Sequence, residues 1–321
     1  MEYRRLGKSG LKVSEITLGC GSATFAGKAD EQTALRIIST ALELGINCID
    51  TAETYAEGRS EMLIGKALEG KRGHVIIATK FGKDRSVGPS EQRASRSRVM
   101  KAVEGSLKRL NTDYIDLYIL HEPDPETPIE ETLRALDDLV RSGKVRYIAC
   151  SGFPAWKLCQ ALWAASAQHL ETFVAASSDY NLLNREIEHE LVPCCLSLGV
   201  GVVPTVPLAG GFLTGKYRRG HPMPEMARFS TSPRYANRIY QDPSRYNRLL
   251  SGPSFDKLEK LEAFATERNH SVGELAIAWL LSHPWLGTVP VGVSTAEQLM
   301  PNARAADWKL TPDELLQLDR M

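Results

Sequence analysis

The sequence has almost nothing that would direct it to a polyanion. Lys plus Arg and Asp plus Glu each number 39, so the formal net charge is zero, and neither nucleic acid nor an anionic membrane is an expected partner. No uninterrupted apolar run approaches the ~20 residues that span a bilayer. The opening residues, Met1-Glu2-Tyr3-Arg4-Arg5, lack the apolar core of a secretory signal, and a cytoplasmic protein is expected. Cysteine is sparse. None of the six (Cys20, Cys48, Cys150, Cys159, Cys194, Cys195) forms a CxxC pair, so zinc or a redox dithiol is not announced and reduced structural thiols are expected. Cys194 and Cys195 are neighbours in a helical pattern and point apart, which excludes a disulfide between them. The seven histidines, His169, His189 and His283 among them, are dispersed and do not make the clustered ligand set of a metal-dependent hydrolase. Without heptads or an unusual apolar stripe, the oligomeric state is not legible.

What is present is a repeating alternation. Hydrophobic residues make up 43% and charged residues 24% of 321 residues, enough for a sizeable core. Short apolar runs at 16–20, 47–50, 75–80, 115–121, 147–151, 173–178, 200–205 and 287–291 are separated by amphipathic helical patterns, the signature of βαβ units. Helix boundaries are readable at Asp30-Glu31 with Gly45, and at Thr127-Pro128-Ile129-Glu130 with Gly143. The runs are continuous rather than alternating, as strands covered on both faces require. Eight of them predict an α/β fold, a parallel eight-stranded (β/α)8 TIM barrel formed by residues 1–321 as a single domain.

Residues 215–255 break the rhythm with five prolines and seven arginines. A connection this long after the seventh strand lies on the face where barrel active sites form, which predicts a lid.

Three consecutive strands end in ionisable residues: Asp50, followed by Thr51-Ala52-Glu53-Thr54-Tyr55, then Lys80, then His121. Strand carboxyl ends surround one mouth, so these groups are expected to converge. A lysine closing an apolar run needs a counter-charge, and Asp50 is one strand away. An ammonium beside Tyr55 favours its phenolate and suits it to general acid–base work on a carbonyl, while a neutral His121 orients the substrate oxygen. Gly19-Cys20-Gly21-Ser22-Ala23-Thr24 superficially suggests a dinucleotide fingerprint, but the third glycine and the immediate helix are missing.

These stretches resemble the aldo-keto reductase superfamily across nearly the whole length. The resemblance rests on residues 45–55, Gly58-Arg59-Ser60-Glu61 with Gly65, Ala78-Thr79-Lys80, and Asp113-Tyr114-Ile115-Asp116-Leu117-Tyr118 leading to His121. It continues in Tyr180-Asn181-Leu182-Leu183-Asn184-Arg185, in Pro207-Leu208-Ala209-Gly210-Gly211 with Leu213-Thr214-Gly215-Lys216, and in Gly292-Val293-Ser294 with Gln298 and Asn302. It implies a catalytic tetrad of Asp50, Tyr55, Lys80 and His121, with Tyr55 as the acid or base. It also implies cofactor contacts from Gly21, Ser22, Ala23, Asp50, Ser151, Gly152, Ser177, Thr205, Pro207, Leu208, Gly210, Gly215, Lys216, Gly292, Ser294, Gln298 and Asn302. The family usually prefers NADP(H), which is therefore favoured; NAD(H) is possible because Ser294 and Thr295 stand at the phosphate site without a clear arginine, leaving Arg304 as the candidate charge.

Departures cluster around the nicotinamide. Gly152 stands where many members have Asn, Ser177 where Gln is common, Thr205 where an aromatic stacks, and Ala23 where the substrate pocket is often aromatic. The Ser151-Gly152 pair and the small residue at 205 also resemble sugar-oxidising aldose dehydrogenases. The expected substrate is an aldehyde, ketone or aldose. The alternative is a cofactor-binding regulatory protein resembling potassium-channel β subunits.

Overall fold

The fold is that of a computed structural model describing residues 1–22, 24–83, 92–224, 227 and 249–321. Two three-residue strands, β1 (Tyr3–Arg5) and β2 (Lys12–Ser14), form an antiparallel hairpin. Then come β3 (Ile16–Gly19), β4 (Cys48–Asp50), β5 (Ile76–Phe81), β6 (Ile115–Leu120), β7 (Val145–Ser151), β8 (Phe173–Asp179), β9 (Gly201–Thr205) and β10 (Val289–Gly292). These eight run parallel in the order β10-β3-β4-β5-β6-β7-β8-β9. The ring closes where Gly287 N donates to Val202 O at 3.0 Å, beside a parallel bridge between Val202 and Leu286. This is the (β/α)8 barrel read from the sequence, and each strand overlaps its predicted run.

The helices form where the capping residues allow. Asp30 accepts from Thr33 N and opens Glu31–Glu43, satisfying an amide that the first turn leaves unpaired. Ile129–Arg141 follows Pro128, and Gly143 turns the chain at φ 76° just beyond it. Ser271 and Glu274 make a reciprocal capping box at the start of Val272–Leu281, each satisfying the other's backbone donor. Most of the predicted lid, 225–226 and 228–248, lies outside the described residues.

Strand alternation decides what reaches the mouth. Cys48, Ala78, Leu117, Ile119, Ala149 and Ala175 pack with Leu6, Leu11 and Val13 of the hairpin as an inner cluster. Ile49, Ile77, Tyr118, Leu120, Ile148 and Ala176 belong to the larger cluster that includes the helices. Side chains two residues apart share a face. Asp50, Lys80, His121, Ser151 and Ser177 therefore continue the inner rows to the carboxyl ends. At the other end, a Cβ on Gly7 would lie 2.6 Å from Gly201 N, a contact only glycine tolerates. The hairpin thus closes the barrel where the strands begin and leaves the carboxyl-end mouth open.

Candidate functional site

The mouth opens on a cavity of about 890 Å³, within the range of cofactor and small-molecule sites. At its centre Lys80 Nζ donates to Asp50 Oδ1 at 2.5 Å and to Thr51 O at 2.8 Å. Register explains the meeting, since Asp50 pairs with Ala78 and Lys80 is the next residue on the same face of β5. Burial alone would lower the Lys80 pKa. The charge and hydrogen bonds of Asp50 and Tyr55 outweigh it and hold the ammonium above the ordinary lysine value. Lys80 Nζ lies 5.1 Å from the centroid of the Tyr55 ring, and the His121 ring stands edge-on to Tyr55 at 5.9 Å. Burial, aided by the Lys80 and Lys83 charges, pushes His121 well below the ordinary histidine range. It is a neutral imidazole at neutral pH, and its buried Nδ1 has no hydrogen-bond partner among the described residues.

The motif around these groups is their scaffold. Glu61, fully buried, accepts from Thr79 Oγ1 at 2.6 Å and from Arg109 Nε at 2.7 Å, fixing β5 one residue before Lys80. Thr51 Oγ1 donates to Ser60 Oγ at 2.8 Å, and Ser60 Oγ donates to Cys20 O at 2.8 Å. Arg59 reaches back to the carbonyls of Ala26 and Ala29. Gly65 lets helix Arg59–Ala67 approach its neighbour, because a Cβ there would meet Leu110 O at 2.6 Å. Directly after Tyr55 the chain takes left-handed values at Ala56 (φ 49°) and Glu57 (φ 56°). Such values are costly for residues with a Cβ, and the turn is held by Ala56 N donating to Ser22 Oγ at 3.0 Å.

Around the rim the cavity is lined by Gly21, Ser22, Ser151, Gly152, Ser177, Thr205, Pro207, Leu208, Gly210, Lys216, Gly292, Ser294, Gln298 and Asn302, together with the tetrad. Gly215 is not in its wall. It ends the 3₁₀ turn Ala209–Thr214 at φ 75°. Ala23 lies outside the described residues. Ser177 Oγ donates to Cys150 O at 3.3 Å and Gly152 N donates to Ser177 O at 2.9 Å, so this pair is bound into the β7–β8 edge. Arg304 does not stand alone as the phosphate-site charge, because Nε and Nη2 contact Glu274 Oε1 at 3.0 and 2.9 Å. Glu274 itself lines the cavity, as does Asp179 at the end of β8. Sequence reasoning missed both, although Ser271-Val272-Gly273-Glu274 carried the capping-box signal.

A family profile described as "Aldo/keto reductase family" matches residues 17–321. The chain belongs to the aldo/keto reductase family. It is 37% identical over 330 residues to an uncharacterized oxidoreductase of Bacillus subtilis (strain 168), covering 99% of this chain and 95% of that protein. It is 34% identical over 343 residues to a versiconal hemiacetal acetate reductase of Aspergillus parasiticus, covering 99% and 96%. A probable voltage-gated potassium channel subunit beta of Oryza sativa subsp. japonica is 34% identical over 319 residues, covering 98% and 94%. This aldo/keto reductase is thus an oxidoreductase of a family that generally uses nicotinamide cofactors.

The residues present fit such a group. After β9, Val206, Ala209, Gly210 and Gly211 all take left-handed φ (54°, 47°, 69° and 92°), bending the backbone around the cavity. Asn181 Nδ2 holds the strained Val206 by donating to its carbonyl at 3.1 Å. A Cβ on Gly211 would lie 2.6 Å from Lys216 Nζ, so the ammonium lies against bare backbone. A positive charge on a turn of this kind is a cradle for phosphate. At the far end Ser294 N donates to Gln298 Oε1 at 2.7 Å, shaping a polar wall beside Asn302. Among the described residues no helix is long and apolar enough to cross a membrane, and no His, Cys, Asp and Glu group could hold a metal.

Proposed function

We propose that the protein is an NAD(P)H-dependent aldo-keto reductase or aldose dehydrogenase acting on an aldehyde, ketone or aldose, with residues 1–321 as one domain. The observation that carries this is the Lys80 ammonium, which binds Asp50 and faces the Tyr55 ring, itself met edge-on by His121 in the cavity. When bound, the cofactor supplies the hydride in reduction and accepts it in oxidation. Tyr55 Oη gives its proton to the carbonyl oxygen in reduction and takes one from the hydroxyl in oxidation. Lys80 stabilises the phenolate between these events, and Asp50 keeps the lysine charged and in place. Neutral His121 orients the substrate oxygen by hydrogen bonding.

Gly21, Ser22, Ser151, Gly152, Ser177 and Thr205 surround the nicotinamide end in this reading. Pro207, Leu208, Gly210, Gly215 and Lys216 bind the pyrophosphate, with Gly215 acting by shaping the turn. Gly292, Ser294, Gln298 and Asn302 receive the adenosine end. NADP(H) is the favoured cofactor and NAD(H) the alternative, with a modest margin because the Arg304 charge is shared with Glu274. No aromatic ring stacks from position 205, which costs on the order of 1 kcal/mol of cofactor binding. The substrate is a small molecule met in the cytoplasm.

Absorbance of the reduced nicotinamide, followed with a carbonyl panel plus NADPH or NADH and with aldoses plus NADP or NAD, tests the proposal. Turnover in either direction supports it. Tight cofactor binding without turnover favours a regulatory role instead, a reading drawn from the relative named as a potassium channel subunit beta.

A further inference from the structure

Two thiols meet on the outer face of the barrel, 35 residues apart in sequence. Cys159 on helix Ala155–Ala167 and Cys194 on helix Leu191–Leu198 have their sulfurs 3.3 Å apart. Cys159 is exposed and Cys194 half-buried, whereas Cys20, Cys48, Cys150 and Cys195 are buried. From this geometry we infer that Cys159 and Cys194 form an oxidative modification site, closing to a reversible disulfide when the protein meets a hydroperoxide.

The pair is close enough to join with small movement. A disulfide bond of about 2.05 Å requires the sulfurs to approach by about 1.2 Å, within the reach of side-chain rotation on an exposed helix face. The two sulfurs have distinct parts. Cys159, open to solvent, meets the oxidant. Burial, together with the hydrogen bond to Cys159, pushes the Cys194 thiol up to about 11. Cys194 therefore holds its proton and acts second. The Cys159 thiol gives its proton to solvent, the thiolate attacks one peroxide oxygen, the O–O bond breaks, and the leaving oxygen takes up a proton from solvent and departs as water, or as an alcohol from an organic hydroperoxide. The Cys194 sulfur then attacks the Cys159 sulfenic acid, forming the S–S bond and expelling hydroxide, which takes the Cys194 proton and leaves as water. Two thiols lose two electrons and two protons, and the peroxide is reduced. A dithiol reductant reverses the step.

The staple would lie close to the mouth. Helix Ala155–Ala167 starts four residues after Ser151, and Cys194 Sγ lies 3.9 Å from Ala155 O in its first turn. Oxidation therefore ties helix Ala155–Ala167, which follows Ser151 and Gly152 in the chain, to helix Leu191–Leu198.

The test treats the full chain with hydrogen peroxide, then unfolds it in an alkylating agent and reads intact and peptide masses. The expected result is a loss of two hydrogens, two of the six thiols protected and a peptide linking Cys159 to Cys194, all reversed by dithiothreitol. Cross-linking of the unfolded-state loop should also raise Tm by about 5 °C. Cys159→Ser, at an exposed position, should abolish the mass loss and the Tm rise. In Cys194→Ser, Cys159 should be trapped as sulfenic acid by dimedone. An unchanged mass, oxygen added to Cys159 without a cross-link, or a cross-link to another cysteine would overturn the inference.

Discussion

Removing the Lys80 charge is the most informative perturbation of the fold at the site. Lys80 and Asp50 side chains are 5% and 17% exposed, with their charged atoms 2.5 Å apart. Breaking a buried pair leaves an uncompensated charge and costs ~3–5 kcal/mol, and the opening of Asp50 toward the cavity places Lys80→Met near the lower end, at about 3 kcal/mol. At about 2.1 cal/mol/K per residue, the unfolding entropy of 321 residues is about 0.67 kcal/mol/K, so Tm should fall by about 4–5 °C. Asp50→Asn should destabilise similarly, by stranding the ammonium. The double variant strands neither charge, so its cost should fall short of the sum of the singles by at least about 2 kcal/mol. The lost hydrogen bond to Thr51 O occurs in Lys80→Met and in the double variant alike, and cancels from the cycle. Urea denaturation of the four proteins provides the measurement. Additivity within about 0.5 kcal/mol would refute the reasoning.

Other outcomes follow from the same coordinates. Glu274→Gln keeps an oxygen to cap helix Val272–Leu281 but releases Arg304, so the NADP(H) over NAD(H) preference in kcat/KM should rise about tenfold, the worth of one charge-assisted contact; an unchanged ratio would remove Arg304 from the phosphate site. Gly65→Ala should cost about 1–3 kcal/mol in urea denaturation, because the added carbon meets the rigid backbone carbonyl of Leu110 rather than a movable side chain. His121 has a folded-state pKa well below its ordinary 6.5, so the native protein binds a proton less readily than the unfolded chain. Its contribution to stability is present above pH 6.5 and is lost as pH falls from there toward the folded value, a slope that His121→Gln should flatten between about pH 6.5 and 5; equal slopes would count against a buried neutral imidazole.

The barrel was legible because its strands are covered on both faces and so read as continuous apolar runs, and the tetrad because ionisable residues ending such runs are conspicuous. Alternation then carries Asp50, Lys80 and His121 to one mouth without further information. The β1–β2 hairpin was not legible, since three-residue strands are too short to show a period. Contacts between distant segments were equally hidden. Nothing local in Arg304 announces Glu274, thirty positions away, and Cys159 with Cys194 looked like isolated thiols until two helices brought them together. Gly215 reads as a phosphate contact from its neighbours, but it is not in the cavity wall. The strain at Val206 has no sequence signal at all, because a β-branched residue is among the least expected at positive φ.

The central claim is that Tyr55, held by Lys80, moves the proton of the reaction. Steady-state kinetics of Tyr55→Phe, paired with cofactor Kd from quenching of intrinsic fluorescence, tests it most directly. The account predicts that kcat falls by about 10²–10⁴ while Kd changes by less than about threefold. Retention of kcat within a factor of ten, with the cofactor still bound, would contradict it.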